Sequence, residues 1–220
     1  MPAGDVFVHC GDWCKDFGSA EEMKEFADWV ESLPYDVKIV IAGNHDFPAQ
    51  DNDARCKANF NSRGIFYLKD SGVKIKDRLF WGSPWQPEFG GLAFNLPRGG
   101  RLWDKWRRIP LQTEVLITHG PPFGILDNAR WPGDLLGQDE SVGCKQLLRR
   151  VNQVRPLVHA FGHIHVSAGV VEVNGTTFIN ASTVKRHVSM GTKPTQALAE
   201  RDGGLLHPPV VFDLPEKAPQ

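Results

Sequence analysis

Short β-branched runs alternate with amphipathic stretches along the chain, and several of these runs end in a cluster of Gly, Asp, Asn or His. Residues 6–10 predict a first strand, and the continuous apolar run at 37–42 is typical of a strand buried on both faces. Between them, Ser19 and Glu22 form a capping-box pattern at the start of a helix with one apolar face. This alternation predicts an α/β fold.

The remaining elements are predicted from shorter signals. Two further helices are expected, a weaker one at 53–61 and an amphipathic one at 143–154. Short strands bounded by turn residues are expected at 65–68, 73–75, 79–81, 114–118, 157–161 and 210–214, the first three with antiparallel pairing. Asn174-Gly175, between strands at 170–173 and 176–179, predicts a hairpin. Residues 83–100 are rich in Pro, Gly and aromatic side chains without a sustained period, and are interpreted as a surface loop.

A single domain fits the length and composition of the chain. The sequence has 220 residues, of which 41% are hydrophobic and 23% charged, which is compatible with one sizeable core. We therefore predict one domain over residues 1–220, with its core at 4–182. Composition turns to Gly, Pro, Ala and charged residues at 192–209, which predicts a segment of low order, and 215–220 is expected to be a frayed tail.

Charge and cysteine content exclude several classes of partner. The formal net charge of -1 argues against a nucleic-acid-binding protein, because broad phosphate neutralisation needs a basic excess. No run approaches the roughly 20 apolar residues that span a bilayer, so no membrane partner is expected. The four cysteines are too few and too irregularly spaced for a disulfide scaffold. With no secretory signal in the sequence, reduced thiols and a cytoplasmic location are predicted.

Side chains that can bind a metal follow four of the predicted strands. In chain order these residues are Asp12, Asn44 with His45, His119, and His163 with His165. Because ligands bind at the carboxyl ends of the strands in open α/β sheets, we expect the side chains to converge on one site. Gly11, Gly43, Gly120 and Gly162 adjoin them, and glycine allows the backbone to turn tightly or to approach a ligand closely.

The motifs at these strand ends are "GDW", "GNHD", "THGPP" and "GHIH". In this order and spacing they resemble the motifs of the calcineurin-like metallophosphoesterase superfamily. The segments "GSPWQPEF", "FNLPRG", "VLITHGPPFGILD", "FGHIH" and "INAS" are further similar to the animal and fungal metallophosphoesterase-domain phosphodiesterases, relatives of the class III cyclic nucleotide phosphodiesterases. The resemblance implies a two-sheet β sandwich flanked by helices, the αββα arrangement of that superfamily.

The resemblance also implies the metal ligands. Asp12 would bridge two metal ions, and the second ion would be completed by Asn44, His119 and His163. His165 would belong to the first ion. Oxygen and imidazole ligands without a thiolate suit Mn, Fe, Zn or Mg, and such a set does not select one of them.

Two further residues would take part in catalysis. His45 matches the family position that faces the leaving oxygen, and an imidazole is suited to proton transfer near neutral pH. Asp46 would orient the ring of His45 through the usual carboxylate-histidine pairing. We therefore predict His45 and Asp46 as the catalytic residues.

One motif of the family is missing from this chain. Family members begin with a strand that ends in Asp-x-His, whose two side chains bind the first metal, and no such pair precedes Asp12. We expect a sandwich without its first strand and one tightly held ion, in the second position. Residues 1–12 resemble the middle of full-length relatives, which favours an upstream truncation over a natural short form.

The leading prediction is a metallophosphoesterase that hydrolyses small phosphodiesters or cyclic nucleotides by in-line attack of a metal-bound hydroxide. The alternative is a non-catalytic protein whose incomplete dinuclear site holds one metal or a nucleotide without turnover. Asn44, His45, His163 and His165 favour ancestry in an active enzyme, while the missing Asp-x-His pair favours weak activity. The physiological substrate, the native metal and the oligomeric state are left open by the sequence.

Overall fold

The computed structural model describes residues 1–129, 141–183 and 207–215. Its strands are β1 (Val6–His9), β2 (Val37–Val40), β3 (Ile65–Tyr67), β4 (Ser71–Ile75), β5 (Arg78–Ser83), β6 (Gln86–Pro87), β7 (Asn95–Leu96), β8 (Val115–Thr118), β9 (Val158–Phe161), β10 (Gly169–Val173) and β11 (Thr176–Asn180). Its helices are α1 (Ala20–Ser32), α2 (Phe47–Asp51), α3 (Asp53–Asn61), α4 (Gly100–Trp106) and α5 (Lys145–Val154), with a 3₁₀ turn at His165–Ser167.

Two sheets form the centre of the fold. The smaller sheet is parallel, with the strand order β1-β2-β3. The larger sheet has the order β10-β11-β9-β8-β5-β4, in which the four inner strands are parallel and the two outer strands pair antiparallel to their neighbours. β6 and β7 form a separate short pair.

Apolar side chains divide the fold into layers. The layer between the two sheets includes Ile39, Ile41, Phe80, Ile117 and Val158. Helices α1 and α3 cover the smaller sheet through the cluster that includes Met23, Ala27, Val30 and Phe60. Helices α4 and α5 cover the larger sheet through the cluster that includes Leu102, Trp106, Leu147 and Val151. The predicted two-sheet β sandwich flanked by helices is therefore confirmed.

Helix α1 begins as its sequence predicts. The Ser19 hydroxyl accepts a hydrogen bond from the Glu22 backbone N–H at 3.1 Å, which satisfies one of the unpaired donors of the first turn. The Glu22 carboxylate accepts from the backbone N–H of Lys15 at 3.3 Å, so the side chain connects the helix to the preceding loop. None of the helices in the described ranges is long and apolar enough to cross a membrane.

The segment at 83–100 is more ordered than the surface loop that its composition predicts. It contains β6 and β7, and α4 begins at Gly100. Phe94 is 0% exposed, its backbone N–H donates to Gln50 Oε1 at 2.6 Å, and its ring lies 5.5 Å from that of Trp85. These contacts join residues far apart in sequence, and a local search for periodicity does not detect them.

Three other expectations need correction. β3 pairs parallel with β2 and not antiparallel, because helices α2 and α3 carry the chain back across the sheet between them. Within 207–215 the structure has no strand at 210–214; instead Leu214 packs against the layer between the sheets and Arg78 donates to the Pro215 carbonyl.

The helix at Phe47–Asp51 was not expected. Most of 192–209 and of 215–220 lies outside the described residues.

A fully buried histidine lies in the larger sheet next to the site. The Thr118 hydroxyl donates to the Gly120 carbonyl at 2.8 Å and therefore accepts from His159 Nε2, which is also 2.8 Å away. Within the described part of the chain, His159 Nδ1 has no hydrogen-bond partner. Burial lowers the pKa of His159 from 6.5 to about 3, because a charged ring would have no solvent around it.

This histidine should make the fold sensitive to acid. The unfolded chain takes up the proton near pH 6.5 and the folded chain only near pH 3, so stability is intact above pH 6.5 and falls as the pH is lowered. By pH 5 the free energy of unfolding should drop by about 2 kcal/mol from this group alone. Urea unfolding of the parent and of His159→Gln, above pH 6.5 and at pH 5, measures this drop. The same dependence of the free energy of unfolding on pH in both proteins would contradict the prediction.

Candidate metal centre

Four loops meet at one end of the sandwich, at the carboxyl ends of parallel strands. Asp12 follows β1 and Asn44 follows β2 in the smaller sheet, while His119 follows β8 and His163 follows β9 in the larger sheet. Both sheets therefore contribute side chains to the same site, as expected for an α/β protein.

Unusual backbone geometry brings these side chains close together. Asp12 and His163 have φ values of 60° and 70°, in the left-handed region that few non-glycine residues adopt. A Cβ atom on Gly43 would lie 2.3 Å from Asp12 Oδ1 and 2.5 Å from His119 Cε1. Glycine is therefore required at position 43, because any side chain there would displace two of the site residues.

His119 lies at the centre of the site. Its Nε2 atom is 2.8 Å from Asn44 Oδ1 and 3.3 Å from Asp12 Oδ2. The rings of His119 and His163 have their centroids 4.9 Å apart. One ligand atom each from Asp12, His119 and His163 lies within 4.8 Å of the others. The structure thus brings together all four residues that the sequence assigns to the second metal.

Hydrogen bonding sets the state of the His119 ring. Its Nδ1 is 2.8 Å from the Cys10 carbonyl, which can only accept, so Nδ1 carries a proton and Nε2 is directed at the oxygens of Asp12 and Asn44. Burial alone would lower the pKa of His119, but the Asp12 carboxylate raises it above its ordinary value. Without an ion, the proton on His119 Nε2 supplies the positive charge between the two oxygens, and a bound ion would replace that proton.

The other two cluster members also suit a cation. Burial would raise the pKa of Asp12, but the nearby His119 holds it well below its ordinary range, so the carboxylate is ionised. Burial and the charge of His119 lower the pKa of His163 to about 3, so this ring is neutral, as a metal ligand must be. One carboxylate, one amide oxygen and two imidazoles form a donor set that fits a divalent ion such as Mn, Fe or Zn.

Asp46 connects the loops of the site through its carboxylate. The side chain is 0% exposed and accepts the backbone N–H groups of Asp12 at 2.8 Å, Cys14 at 2.9 Å and Gly43 at 2.6 Å. Burial and the charge of Asp12 raise the pKa of Asp46 to about 7, although the N–H donors oppose this. A cation bound between the loops would offset the repulsion between the two carboxylates.

The ring of His45 is oriented differently from the expectation. Its Nδ1 lies 2.6 Å from the Asp16 carbonyl, while the Asp46 carboxylate is occupied by backbone donors. The His45 backbone N–H donates to Asp12 Oδ1 at 2.9 Å, which places this residue beside the cluster. The predicted pairing of Asp46 with His45 is therefore corrected. A carbonyl partner leaves no side-chain signal in a sequence, so Asp16 could not be identified from it.

His165 has a separate position. It begins the 3₁₀ turn, and its charge contributes to the lowered pKa of His163, so it lies near the site. Among the residues that the structure describes, the three-residue metal cluster does not include it. The assignment of His165 to a first metal remains a prediction.

Two buried cysteines lie on either side of Asp12 in the sequence. Burial raises the pKa of Cys10 to about 12, and burial together with the charge of Asp46 raises the pKa of Cys14 to about 12. Among the described residues, neither sulfur belongs to the group of Asp12, His119 and His163, so that group offers oxygen and nitrogen donors.

Comparison with known proteins identifies the family. Residues 2–167 match the family model described as calcineurin-like phosphoesterase. The chain is 39% identical over 237 aligned residues to metallophosphoesterase domain-containing protein 1 of Homo sapiens, covering 98% of this chain and 66% of the relative. A UPF0046 protein of Caenorhabditis elegans is 35% identical over 234 residues, covering 98% of this chain and 74% of the relative. The chain thus spans slightly less than two thirds of the human relative.

A solved structure has the same fold. The crystal structure of TT1561 of Thermus thermophilus superposes with a TM-score of 0.55 at 13% sequence identity, covering 81% of this chain and 76% of the other. At this identity the likeness concerns the fold alone. The family match, the relatives and the cluster of Asp12, His119 and His163 show that the chain belongs to the calcineurin-like phosphoesterases, a family of metal-dependent phosphoester hydrolases.

Proposed function

We propose that this chain hydrolyses small phosphodiesters or cyclic nucleotides at the cluster of Asp12, Asn44, His119 and His163. The observation that carries the proposal is the convergence of ligand atoms from four loops around His119 Nε2. The family relationship supports phosphoester hydrolysis in general. The narrower substrate class rests on the motifs that resemble the metallophosphoesterase-domain phosphodiesterases.

Asp12, Asn44, His119 and His163 would hold a divalent ion, with Mn the first metal to test. When bound, such an ion neutralises charge on the phosphoryl oxygens and activates a water molecule as the nucleophile. The protein supplies placement: the Cys10 carbonyl orients His119, and Asp46 positions the backbone of Asp12 and Gly43. Because these contacts fix the ring of His119 and the backbone of Asp12 and Gly43, this part of the site is organised before an ion or substrate arrives.

His45 would deliver a proton to the leaving oxygen. Its Nδ1–H remains on the Asp16 carbonyl at 2.6 Å, so the proton that is transferred comes from Nε2 of the imidazolium. This hydrogen bond fixes the ring orientation through the catalytic step. Asp46 then acts as a positioning residue, through the backbone that it connects and not through the ring of His45.

Replacing His45 by alanine should slow turnover without removing metal. With bis(p-nitrophenyl) phosphate and added Mn, the rate should fall by about 10²–10⁴-fold, the usual contribution of a general acid. Metal content, measured by mass spectrometry after gel filtration, should stay unchanged because the His45 ring is not in the ligand cluster.

A matched control is available at the residue that orients His45. Asp16 contacts the ring through its backbone carbonyl and has a φ of 48°, a conformation that asparagine also tolerates. Asp16→Asn should therefore retain the parent rate. Equal rates for His45→Ala and the parent would remove His45 from the mechanism.

The second candidate function is metal binding without hydrolysis. It is favoured by one observation: the described residues contain one three-residue metal cluster, with His165 outside it. A single ion provides a weaker clamp for the phosphoryl group than two ions do. A chain that binds Mn but does not turn over bis(p-nitrophenyl) phosphate would support this candidate over the first.

A further inference from the structure

A solvent-exposed aromatic ring lies on the loop whose Asp16 carbonyl contacts the proposed proton donor, His45. Phe17 is 69% exposed, and its ring centroid is 5.4 Å from that of Phe47, with the two ring planes tilted by 59°. Phe17 directly follows Asp16, whose carbonyl contacts His45, and Phe47 is two residues beyond His45. Both rings are therefore tied to His45 by short stretches of backbone.

The two rings line a recess in the surface. Its volume is about 260 Å³, and Met23 and Pro48 add apolar surface while Asp51 and Arg55 add charged groups. A cavity of about 150 Å³ can accept benzene, so this recess has room for an aromatic ring system with polar substituents.

The backbone around the recess is closely packed against the site. A Cβ atom on Gly18 would lie 2.9 Å from the His45 carbonyl oxygen and 2.8 Å from Cys14 Sγ. Gly18 also has a φ of 65°, which favours glycine. The loop that presents Phe17 is thereby held against the His45 backbone, so a group bound between the rings would have a defined position relative to His45.

We propose that Phe17 and Phe47 form a subsite for an aromatic group carried by the phosphoester substrate. This inference rests on the proposed function, because the aromatic group would belong to a substrate whose phosphoryl group is bound at Asp12, Asn44, His119 and His163. Every aromatic ring offers a face for stacking, so the subsite would select an aromatic ester over an alkyl ester without reading its substituents.

The subsite can be tested by binding alone. Phenylphosphonate and methylphosphonate carry the same anionic group and differ only in the aromatic ring, and neither contains an ester bond that the chain could hydrolyse. Titration calorimetry on the Mn-loaded parent should show tighter binding of phenylphosphonate. Phe17→Leu should weaken that binding about tenfold, the order of one lost stacking contact, and leave methylphosphonate binding unchanged.

Two further variants separate stacking from a general surface effect. Phe17→Trp retains an aromatic face and should keep the phenylphosphonate affinity. Phe66→Leu removes another exposed phenylalanine, on β3 at the opposite edge of the smaller sheet from β1, and should change neither affinity.

The outcomes distinguish this inference from the proposed function. The aromatic subsite would be overturned if the parent bound the two phosphonates with equal affinity, or if Phe17→Leu weakened the binding of both equally, even if bis(p-nitrophenyl) phosphate is hydrolysed. A loss of affinity for phenylphosphonate alone in Phe17→Leu would support the subsite. If that loss occurs in a chain with no diesterase turnover, the subsite stands and the catalytic proposal fails.

Discussion

Replacing His119 by alanine is expected to release the bound divalent ion and to lower diesterase turnover by more than about 100-fold, since even partners outside the ligand shell contribute about 10–100-fold. His119 Nε2 lies within 2.8 Å of Asn44 Oδ1 and 3.3 Å of Asp12 Oδ2, so its removal deletes the central ligand. Mn per chain, measured by mass spectrometry after gel filtration, and turnover of bis(p-nitrophenyl) phosphate test both parts.

His159→Gln is the matched control for this loss. His159 is also fully buried in the larger sheet, but it contacts Thr118 and is not in the metal cluster. At neutral pH this variant should bind Mn like the parent. A folded His119→Ala variant with the metal content of the parent would show that the ion is held elsewhere.

Asp46→Ala should be the most destabilising substitution near the site. It leaves the backbone N–H groups of Asp12, Cys14 and Gly43 without their acceptor in a buried region. Each unsatisfied buried donor costs about 1–3 kcal/mol, so the free energy of unfolding should fall by at least about 3 kcal/mol. Urea unfolding measures this loss, and Mn content should fall with it because one donor belongs to Asp12 and another to Gly43, the residue before Asn44.

The control for this prediction is another aspartate on the surface. Asp5 is largely exposed and pairs with exposed Lys76 at 3.3 Å, a contact of the kind that contributes little to stability. Asp5→Ala should therefore change the free energy of unfolding by less than about 1 kcal/mol. Similar losses in the two variants would mean that the three N–H contacts of Asp46 do not stabilise the fold.

Local sequence patterns predict several features of the site. Asp12, Asn44, His119 and His163 each follow a predicted strand, and the structure brings all four side chains together. Convergence of this kind is expected from sequence because hydrophobic runs identify parallel strands, and the carboxyl ends of such strands lie together. Ser19 and Glu22 likewise marked the start of α1, since a cap depends on residues a single turn apart.

Contacts between side chains and backbone groups could not be predicted from such local patterns. The Cys10 carbonyl orients His119, the Asp16 carbonyl orients His45, and the Asp46 carboxylate binds N–H groups up to 34 positions away. Every residue carries a carbonyl, and nearly every residue carries an N–H, so these contacts have no distinguishing sequence signal. The expected pairing of Asp46 with His45 failed for this reason.

The sequence by itself determined the α/β alternation, the N-terminal cap of α1 and the order of the polar strand ends, because each depends on neighbours within a few residues. The tertiary structure alone decided that 83–100 packs around Phe94, that 210–214 lies outside the sheets, and that Phe17 lines a recess together with Phe47. These outcomes depend on surfaces contributed by distant parts of the chain. An apolar or aromatic residue is buried, paired or exposed according to the partner surface that the completed fold supplies.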